Sequence, residues 1–415
     1  MACTICGCVC DDLRIVTDGQ SIQAADGACE LAEPWFSRLS SGQPAEPVHI
    51  HGQPAALDEG VDVAARILRG ARAPLIYGLS ASSTPGQRAA VRLADALGAC
   101  IDTTASTCHA PSIMALQVVG ESTSSLGEAK NRADLVIYWG SNPMDSHPRH
   151  IERFVESKGM FVPRGRADRQ LVVVDPVRTE TAELADTFLQ VMPGTDFEMI
   201  AALRMLLAGK EPPIPSVGGF ALKQLPQFAD QLASCRYGAV FFGLGLTRTT
   251  APHATVEALL RLVTDLNQQT RFVVRRMRIP GDVAGADSVL CWQTGFPFSV
   301  NLARGYPRYN PGEYTANNLL ERGEVDAAVM VGSSGVTQLS SAARRHLEQV
   351  PNIVLDAPDV ACPIDAQVHF TTAIYGVHRR GTAYRMDETP IPLRPFLASD
   401  LPSDDEVLKA IESRL

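Results

Sequence analysis

Short apolar runs rich in β-branched residues alternate with amphipathic stretches over most of this chain, and that alternation constrains its fold more than any other feature. Pro74–Gly78, Leu135–Gly140, Leu171–Asp175, Gly238–Gly243, Phe272–Arg275, Ala327–Gly332 and Asn352–Asp356 read as strands buried on both faces. Around them, Glu59–Leu68, Pro85–Leu97, Asp196–Leu207 and Thr255–Leu266 repeat apolar residues with a helical period. Pro85 suits a first helical turn. Strands without a polar face need cover on both sides. The pattern therefore predicts α/β domains built on doubly wound, mostly parallel sheets with helices on both faces. Ligands of such sheets gather at the carboxyl ends of the strands. Several strands here run into small or polar residues at that end, as in Tyr77-Gly78-Leu79-Ser80 and Phe242-Gly243-Leu244-Gly245.

The segment before Gly52 breaks the pattern. Cys3, Cys6, Cys8 and Cys10 crowd into the first ten residues, and Cys29 follows. Four thiolates can hold a 4Fe–4S cube, and the tight Cys3-x2-Cys6-x3-Cys10 spacing lets three reach successive irons. A two-residue spacer also fits a zinc knuckle, although zinc sites usually pair two such spacers and the second is missing. A degenerate, empty site is the third reading. Cys8 lies between the ligands and reads as a bystander. Cys100, Cys235, Cys291 and Cys362 sit in apolar contexts and read as small buried hydrophobes. Ser40-Ser41-Gly42-Gln43-Pro44 reads as the exit linker, and Gly165–Asp168 and Glu211–Gly218 as loops or hinges.

Composition narrows the class. At about 100–200 residues per domain, 415 residues give two to four domains. With 45% hydrophobic and 20% charged residues, global disorder is excluded. The net charge of −9 offers no general field to draw nucleic acid or an anionic membrane. The N-terminus has neither the basic nor the apolar region of a signal peptide. No uncharged apolar run reaches the roughly 18 residues a membrane helix needs. A cytoplasmic protein is expected, in which clustered cysteines hold a metal or cluster rather than disulfides.

Three loops follow strands: Gly140-Ser141-Asn142-Pro143, Asp175-Pro176-Val177-Arg178-Thr179 and Met192-Pro193-Gly194-Thr195-Asp196. Each leaves backbone amides free for an anion or nucleotide, and an acid at a strand end can accept from a ribose. The last is also an ordinary helix start with Thr195 or Asp196 as cap. After the cysteine set and Thr107-Cys108-His109-Ala110-Pro111-Ser112, the three loops in this order resemble the molybdopterin-dependent formate dehydrogenase and dimethyl sulfoxide reductase superfamily. The resemblance narrows to the B-subunit family of formylmethanofuran dehydrogenase. It does so through His147-Pro148-Arg149-His150, Cys291-Trp292-Gln293-Thr294-Gly295-Phe296-Pro297-Phe298, Arg304-Gly305-Tyr306-Pro307-Arg308-Tyr309-Asn310-Pro311-Gly312-Glu313 and Gly381-Thr382-Ala383-Tyr384-Arg385-Met386-Asp387. It runs from Cys3 to Arg394.

The resemblance implies a small iron–sulfur domain over 1–51 and an α/β domain of 52–105 plus 275–415 carrying Arg278. It implies a pterin-dinucleotide-binding α/β domain over 106–274, and no C-terminal β-barrel. In that superfamily a bis-molybdopterin guanine dinucleotide cofactor chelates molybdenum or tungsten. Cys108 stands where a soft thiolate completes the metal's ligands. His109 would lie beside the metal and exchange a proton with formate or carbon dioxide. Arg278 matches the active-site arginine that grips a carboxylate with two parallel hydrogen bonds, with Arg275 and Arg276 close enough to leave the register open. Cys3, Cys6, Cys10 and Cys29 match the ligands of the 4Fe–4S cluster. Gly140, Ser141, Asn142, Pro143, Asp175, Gly194, Thr195 and Asp196 match dinucleotide contacts, and Gly243 and Gly245 would allow close backbone approach. The Arg304–Glu313 segment reads as a rigid loop near the site or as purely structural. One departure stands out. Superfamily members usually carry a Lys or Arg shortly after the fourth cluster cysteine, whereas here Glu30 and Glu33 follow Cys29 and the first basic residue is Arg38.

Two functions are compatible with these residues. In the first, the chain is the molybdenum or tungsten oxidoreductase subunit that interconverts carbon dioxide and formate. Formate then passes to an amidohydrolase-like partner, with a β-helical subunit and a barrel or formyltransferase subunit in the same complex. In the second, it is a non-redox scaffold in a bacterial formyltransferase/hydrolase complex of methylotrophy, which releases formate from a formyl-methanofuran analogue. Thirty-two of the 37 basic residues are arginine, which points to a GC-rich genome and favours the second. Retention of Cys108, His109 and the four cysteines favours the first. A stand-alone formate dehydrogenase would need a longer chain.

Overall fold

A computed structural model describes residues 1–41, 46–279, 281–358 and 360–415. Gly42, Gln43 and Pro44 of the expected linker lie outside them. The chain divides into two compact units, Cys108–Arg278 and Met1–Thr107 with Ile279–Leu415.

The unit Cys108–Arg278 is built on five parallel strands. Their order across the sheet is Phe272–Arg276, Gly238–Phe242, Leu135–Trp139, Gln170–Asp175, Thr187–Gln190. Each expected strand forms within one residue of its expected ends, because each is an unbroken apolar run that can be buried on both faces. Trp139, Val172, Val174, Phe242 and Val274 supply the sheet side of the core. Ile200 and Leu203 from the helix Asp196–Leu207, and Leu259 and Val263 from the helix Pro252–Leu266, supply the helical side. Leu135–Trp139 comes first in the chain, and later strands add on both its flanks. The chain therefore leaves Trp139 and Phe242 in opposite directions, which makes their carboxyl ends the topological switch point where such sheets hold ligands. Residues 275–278, expected in the other domain, stay with this unit. Arg275 and Arg276 are paired in register with Phe241 and Phe242, and the Met277 amide donates to the Phe242 carbonyl.

The second unit holds a nine-stranded sheet whose central five strands are parallel. Their order is Cys100–Thr103, Pro74–Gly78, Ala327–Val331, Asn352–Asp356, Val368–Thr371. The edges depart from the expected parallel pattern. Val300–Asn301 and Arg308–Tyr309 add antiparallel on one side, and Val48–Ile50 and Gln53–Pro54 on the other. The Arg304–Glu313 segment thus turns a short hairpin at the sheet edge, where Tyr309 stacks on Phe296 at 5.0 Å. Here too the first strand of the parallel core, Pro74–Gly78, has neighbours added on both flanks. At its end Gly78 (φ +114°) lies so close to the Val331 carbonyl that a Cβ would stand 2.4 Å from it.

The N-terminal segment groups with this second unit. It forms the antiparallel pair Arg14–Thr17 and Ile22–Asp26 and the helix Glu33–Arg38. The hairpin Gly381–Tyr384 and Pro390–Leu393 packs Ala383, Ile391 and Leu393 against Val9 of the cysteine loop. The Met386 amide donates to the Gly7 carbonyl at 2.8 Å. The Gly381–Asp387 motif therefore buttresses the cysteines. No helix among the described residues is long and apolar enough to cross a membrane.

Candidate functional site

Cys108 opens the unit that Arg278 closes. Cys108 is half-buried, two residues before the helix Ala110–Val119, and His109 is that helix's N-cap residue.

His109 is 1% exposed. Its Nε2 donates to the Met277 carbonyl at 3.0 Å and its Nδ1 meets the Ser112 hydroxyl at 3.2 Å. Burial, aided by the Arg278 and Arg276 guanidinium groups, pushes its pKa down to about 3. The ring is therefore neutral at physiological pH. Of the two guanidinium groups, Arg278 has the larger effect on the ring. Arg276 forms a buried ion pair with Glu121 at 3.1 Å, and Arg275 donates to the Ser124 carbonyl at 2.9 Å. Arg278 is only 2% exposed.

A second histidine completes the arrangement, and sequence reasoning missed its role. His147 is buried, donates from Nε2 to the Arg278 carbonyl at 2.9 Å, and meets the Ser146 hydroxyl at Nδ1. Two neutral rings thus hold the consecutive carbonyls of Met277 and Arg278 and fix the backbone that presents the Arg278 side chain. The other histidine of that motif, His150, meets the Tyr138 hydroxyl at 2.7 Å inside the core. A buried histidine with a carbonyl partner leaves no trace in sequence spacing.

These rings make stability pH-dependent. Burial pushes the His147 pKa down to about 4. Both folded values lie below the unfolded value of about 6.5, so the unfolded chain binds more protons as pH falls. Their stabilisation is present above about pH 6.5 and is lost on acidification toward pH 4, at a cost on the order of 3 kcal/mol for His147 alone. Urea unfolding of the chain should show a midpoint falling across this window, with a shallower fall in His147→Gln. An identical slope in the variant would contradict the assignment.

The loop residues occupy the strand ends. Gly140 (φ +56°) and the Gly243–Gly245 turn interlock at this switch point, so that a Cβ on Gly245 would stand 2.6 Å from the Gly140 Cα. The close approach these glycines permit is between two loops of the protein itself. Gly245→Ala should destabilise the unit by about 2 kcal/mol or more, read as a shift in denaturation midpoint. The Asn142 Oδ1 accepts from the Thr181 hydroxyl at 2.6 Å, which ties the first loop to the start of the helix Glu180–Glu183. The Asp175 Oδ1 accepts from the Val177 amide, and burial raises its pKa. The Asp196 Oδ1 accepts from the Trp139 indole at 2.8 Å, and Thr195 occupies the N-cap position without capping through its side chain. Gly194 (φ +77°) faces open space. Ser141 is buried, as is Pro143 at the start of its helix.

In the other unit Cys3, Cys6, Cys8 and Cys10 are buried and Cys29 is half-buried. Burial raises the Cys3 thiol pKa far above its ordinary value, and Cys6, Cys10 and Cys29 lie near enough to raise it further. Cys8 donates to the Cys6 sulfur through its thiol and its amide, which lowers the Cys6 pKa. Among the described residues no three His, Cys, Asp or Glu side chains gather at a single-ion site. A four-iron cube places each thiolate on a different iron and needs no such convergence. Four sulfurs close enough for Cys3 to feel the other three, with three of the four buried, fit that group.

No family model matches the chain. It is 39% identical over 422 residues to the B subunit of tungsten-containing formylmethanofuran dehydrogenase 2 from Methanocaldococcus jannaschii, covering 99% of this chain and 97% of that protein. It is 26% identical over 287 residues to the B subunit of the formyltransferase/hydrolase complex of Methylorubrum extorquens, covering 68% and 74%. The crystal structure of that Methylorubrum extorquens complex with methylofuran contains a chain of the same fold. The TM-score is 0.73 at 24% identity, over 88% of this chain and 98% of that one. The near end-to-end match at 39% identity places this chain in the B-subunit family of formylmethanofuran dehydrogenases.

Proposed function

We propose that this chain is the B subunit of a formylmethanofuran dehydrogenase-type complex of one-carbon metabolism and that its site interconverts carbon dioxide and formate. The observation that carries this reading is the retention of Cys108, His109 and Arg278 on one unit, with His109 and His147 fixing the backbone of Arg278. A pterin-chelated tungsten or molybdenum held by Cys108 would supply the two-electron exchange with carbon, and a 4Fe–4S cluster on Cys3, Cys6, Cys10 and Cys29 would carry single electrons.

The protein's own part is binding and orientation. Arg278 offers a planar pair of donors to a carboxylate, and its burial removes the competing water. Neutral His109 adds no charge, so the attraction for formate rests on arginine. Its low pKa makes it a weak base. With Nε2–H held by the Met277 carbonyl, the ring acts as a fixed neutral wall beside the site. Asp175, Gly194 and the Gly140–Pro143 loop, all at strand ends, would hold the pterin dinucleotides. Formate would pass to an amidohydrolase-like partner, with the β-helical and the barrel or formyltransferase subunits completing a cytoplasmic complex.

The scaffold reading keeps two sequence features in its favour: the predominance of arginine among the basic residues, and the two glutamates that follow Cys29 where a basic residue is usual. The test is to give the purified complex isotopically labelled bicarbonate and a reduced viologen. Labelled formate is the expected product. Its absence from a complex with all subunits and full metal content would overturn the dehydrogenase reading and leave the scaffold.

A further inference from the structure

An acidic protein has little reason to gather unpaired arginines, yet this one does so in a single cleft. The cleft is an open trough of ≈ 1060 Å³, and Arg88, Arg380, Arg394, Thr382 and Leu393 are among the residues that line it. Arg88 comes from the helix Thr84–Leu97, and Arg380 and Arg394 flank the two strands of the Gly381–Leu393 hairpin. All three are exposed, and none makes an ion pair among the described residues. Some surface arginines have carboxylate partners, as in Arg178–Glu183 at 2.6 Å and Arg322–Glu324 at 2.8 Å, and others, such as Arg66 and Arg344, are exposed without one; here three unpartnered arginines line the same trough. At the cleft's rim Arg92 and Lys409 are likewise satisfied by Glu412 and Asp405. Three like charges from three places in the chain line one trough, and no described carboxylate comes within ion-pair distance of them. That arrangement favours an external anion.

We propose that this cleft seats an acidic segment of a partner subunit, supplying several carboxylates to Arg88, Arg380 and Arg394. The proposal rests on membership of a multi-subunit complex. Three observations favour a polypeptide over a small anion. The arginines are exposed along an open trough rather than buried around one point. The trough also offers the exposed ring of Pro395, which a free phosphate would not use. Guanidinium groups that project from separate elements match carboxylates repeated along a chain, each held by two parallel hydrogen bonds. The cleft's place in the fold links it to the cysteines. Ala383, Ile391 and Leu393 of the same hairpin pack on Val9 of the cysteine loop. A partner bound to the outer face would hold the hairpin in place over Cys3–Cys10, so binding and retention of that loop's structure should reinforce each other.

The test uses the whole complex. A photo-crosslinking amino acid replaces Thr382, which lines the cleft and is not among the hairpin residues that pack on Val9 of the cysteine loop. The expected cross-link falls on another subunit, within a stretch carrying a surplus of Asp and Glu. Arg88→Glu/Arg380→Glu/Arg394→Glu should lower its yield about tenfold, as should raising the salt enough to screen exposed charges. Exchanging the mapped acids for lysine should restore it. Limited proteolysis between residues 1 and 10 should be faster in the charge-reversed complex. A cross-link to a segment without excess acid, or a yield indifferent to charge reversal, overturns the proposal. So does protection of the arginines by inorganic phosphate with no polypeptide cross-linked. If the chain purifies without any partner, complex membership itself has failed. If all subunits are present and Thr382 reaches none of them, only the cleft proposal has failed.

Discussion

Cys108→Ala should abolish carbon dioxide–formate interconversion by the assembled complex while leaving its subunit composition intact. Cys108 is half-buried at the start of a helix, and its side chain is small, so its loss leaves the core of the unit unchanged. The expected fall is more than about a thousandfold, beyond what removal of one stabilising donor produces, because a metal ligand sets the charge on the reacting centre. Viologen-linked turnover and size-exclusion profiles of the complex check both halves. Unchanged turnover would remove Cys108 from the mechanism. Loss of assembly together with turnover would make its role structural.

Arg278→Lys should raise KM for formate and lower kcat/KM by about 10²–10³-fold, with little change in assembly. Lysine keeps the charge and loses the planar fork, so it replaces two parallel hydrogen bonds with a single point contact. The site is 2% exposed, so water cannot compensate for the misplaced donor. The backbone there is held independently by His147, which separates side-chain loss from loop displacement. His147→Gln should leave the guanidinium in place but loosen its backbone, giving a smaller fall, about tenfold, expressed in kcat and KM together. Equal losses in the two variants would mean that Arg278 acts only through its backbone.

The two sheets were legible because their central strands are unbroken apolar runs. Pro74–Gly78 and Asn352–Asp356 form with the ends that their residues suggest. Strands with mixed composition were not legible. Cys100–Thr103 carries buried Asp102, whose carboxylate accepts from the amides of Thr103, Ser299 and Ala316, and burial pushes its pKa up to about 6. Partners as distant as Ser299 and Ala316 are invisible to local reading. The helix Val283–Thr294 escaped for a different reason. It begins at Asp282, which caps the Gly285 amide and also accepts from the Tyr384 amide and Gln87, so its start depends on tertiary contacts. At the site, the chemistry-bearing residues were legible as a motif, whereas the means of holding them was not. Gly243 and Gly245 announced a close approach, and only the structure identifies the Gly140 loop as the neighbour. His147 stood in a recognisable motif, but its bond to a carbonyl 131 residues away had no local sign.

The central claim is that this B subunit keeps a working redox site, and the metal content of the purified native complex tests it most directly. Elemental analysis per B subunit should find tungsten or molybdenum near one equivalent and iron sufficient for at least one four-iron cluster. Iron together with both heavier metals at background level, in a complex whose subunits are all present, would contradict the account.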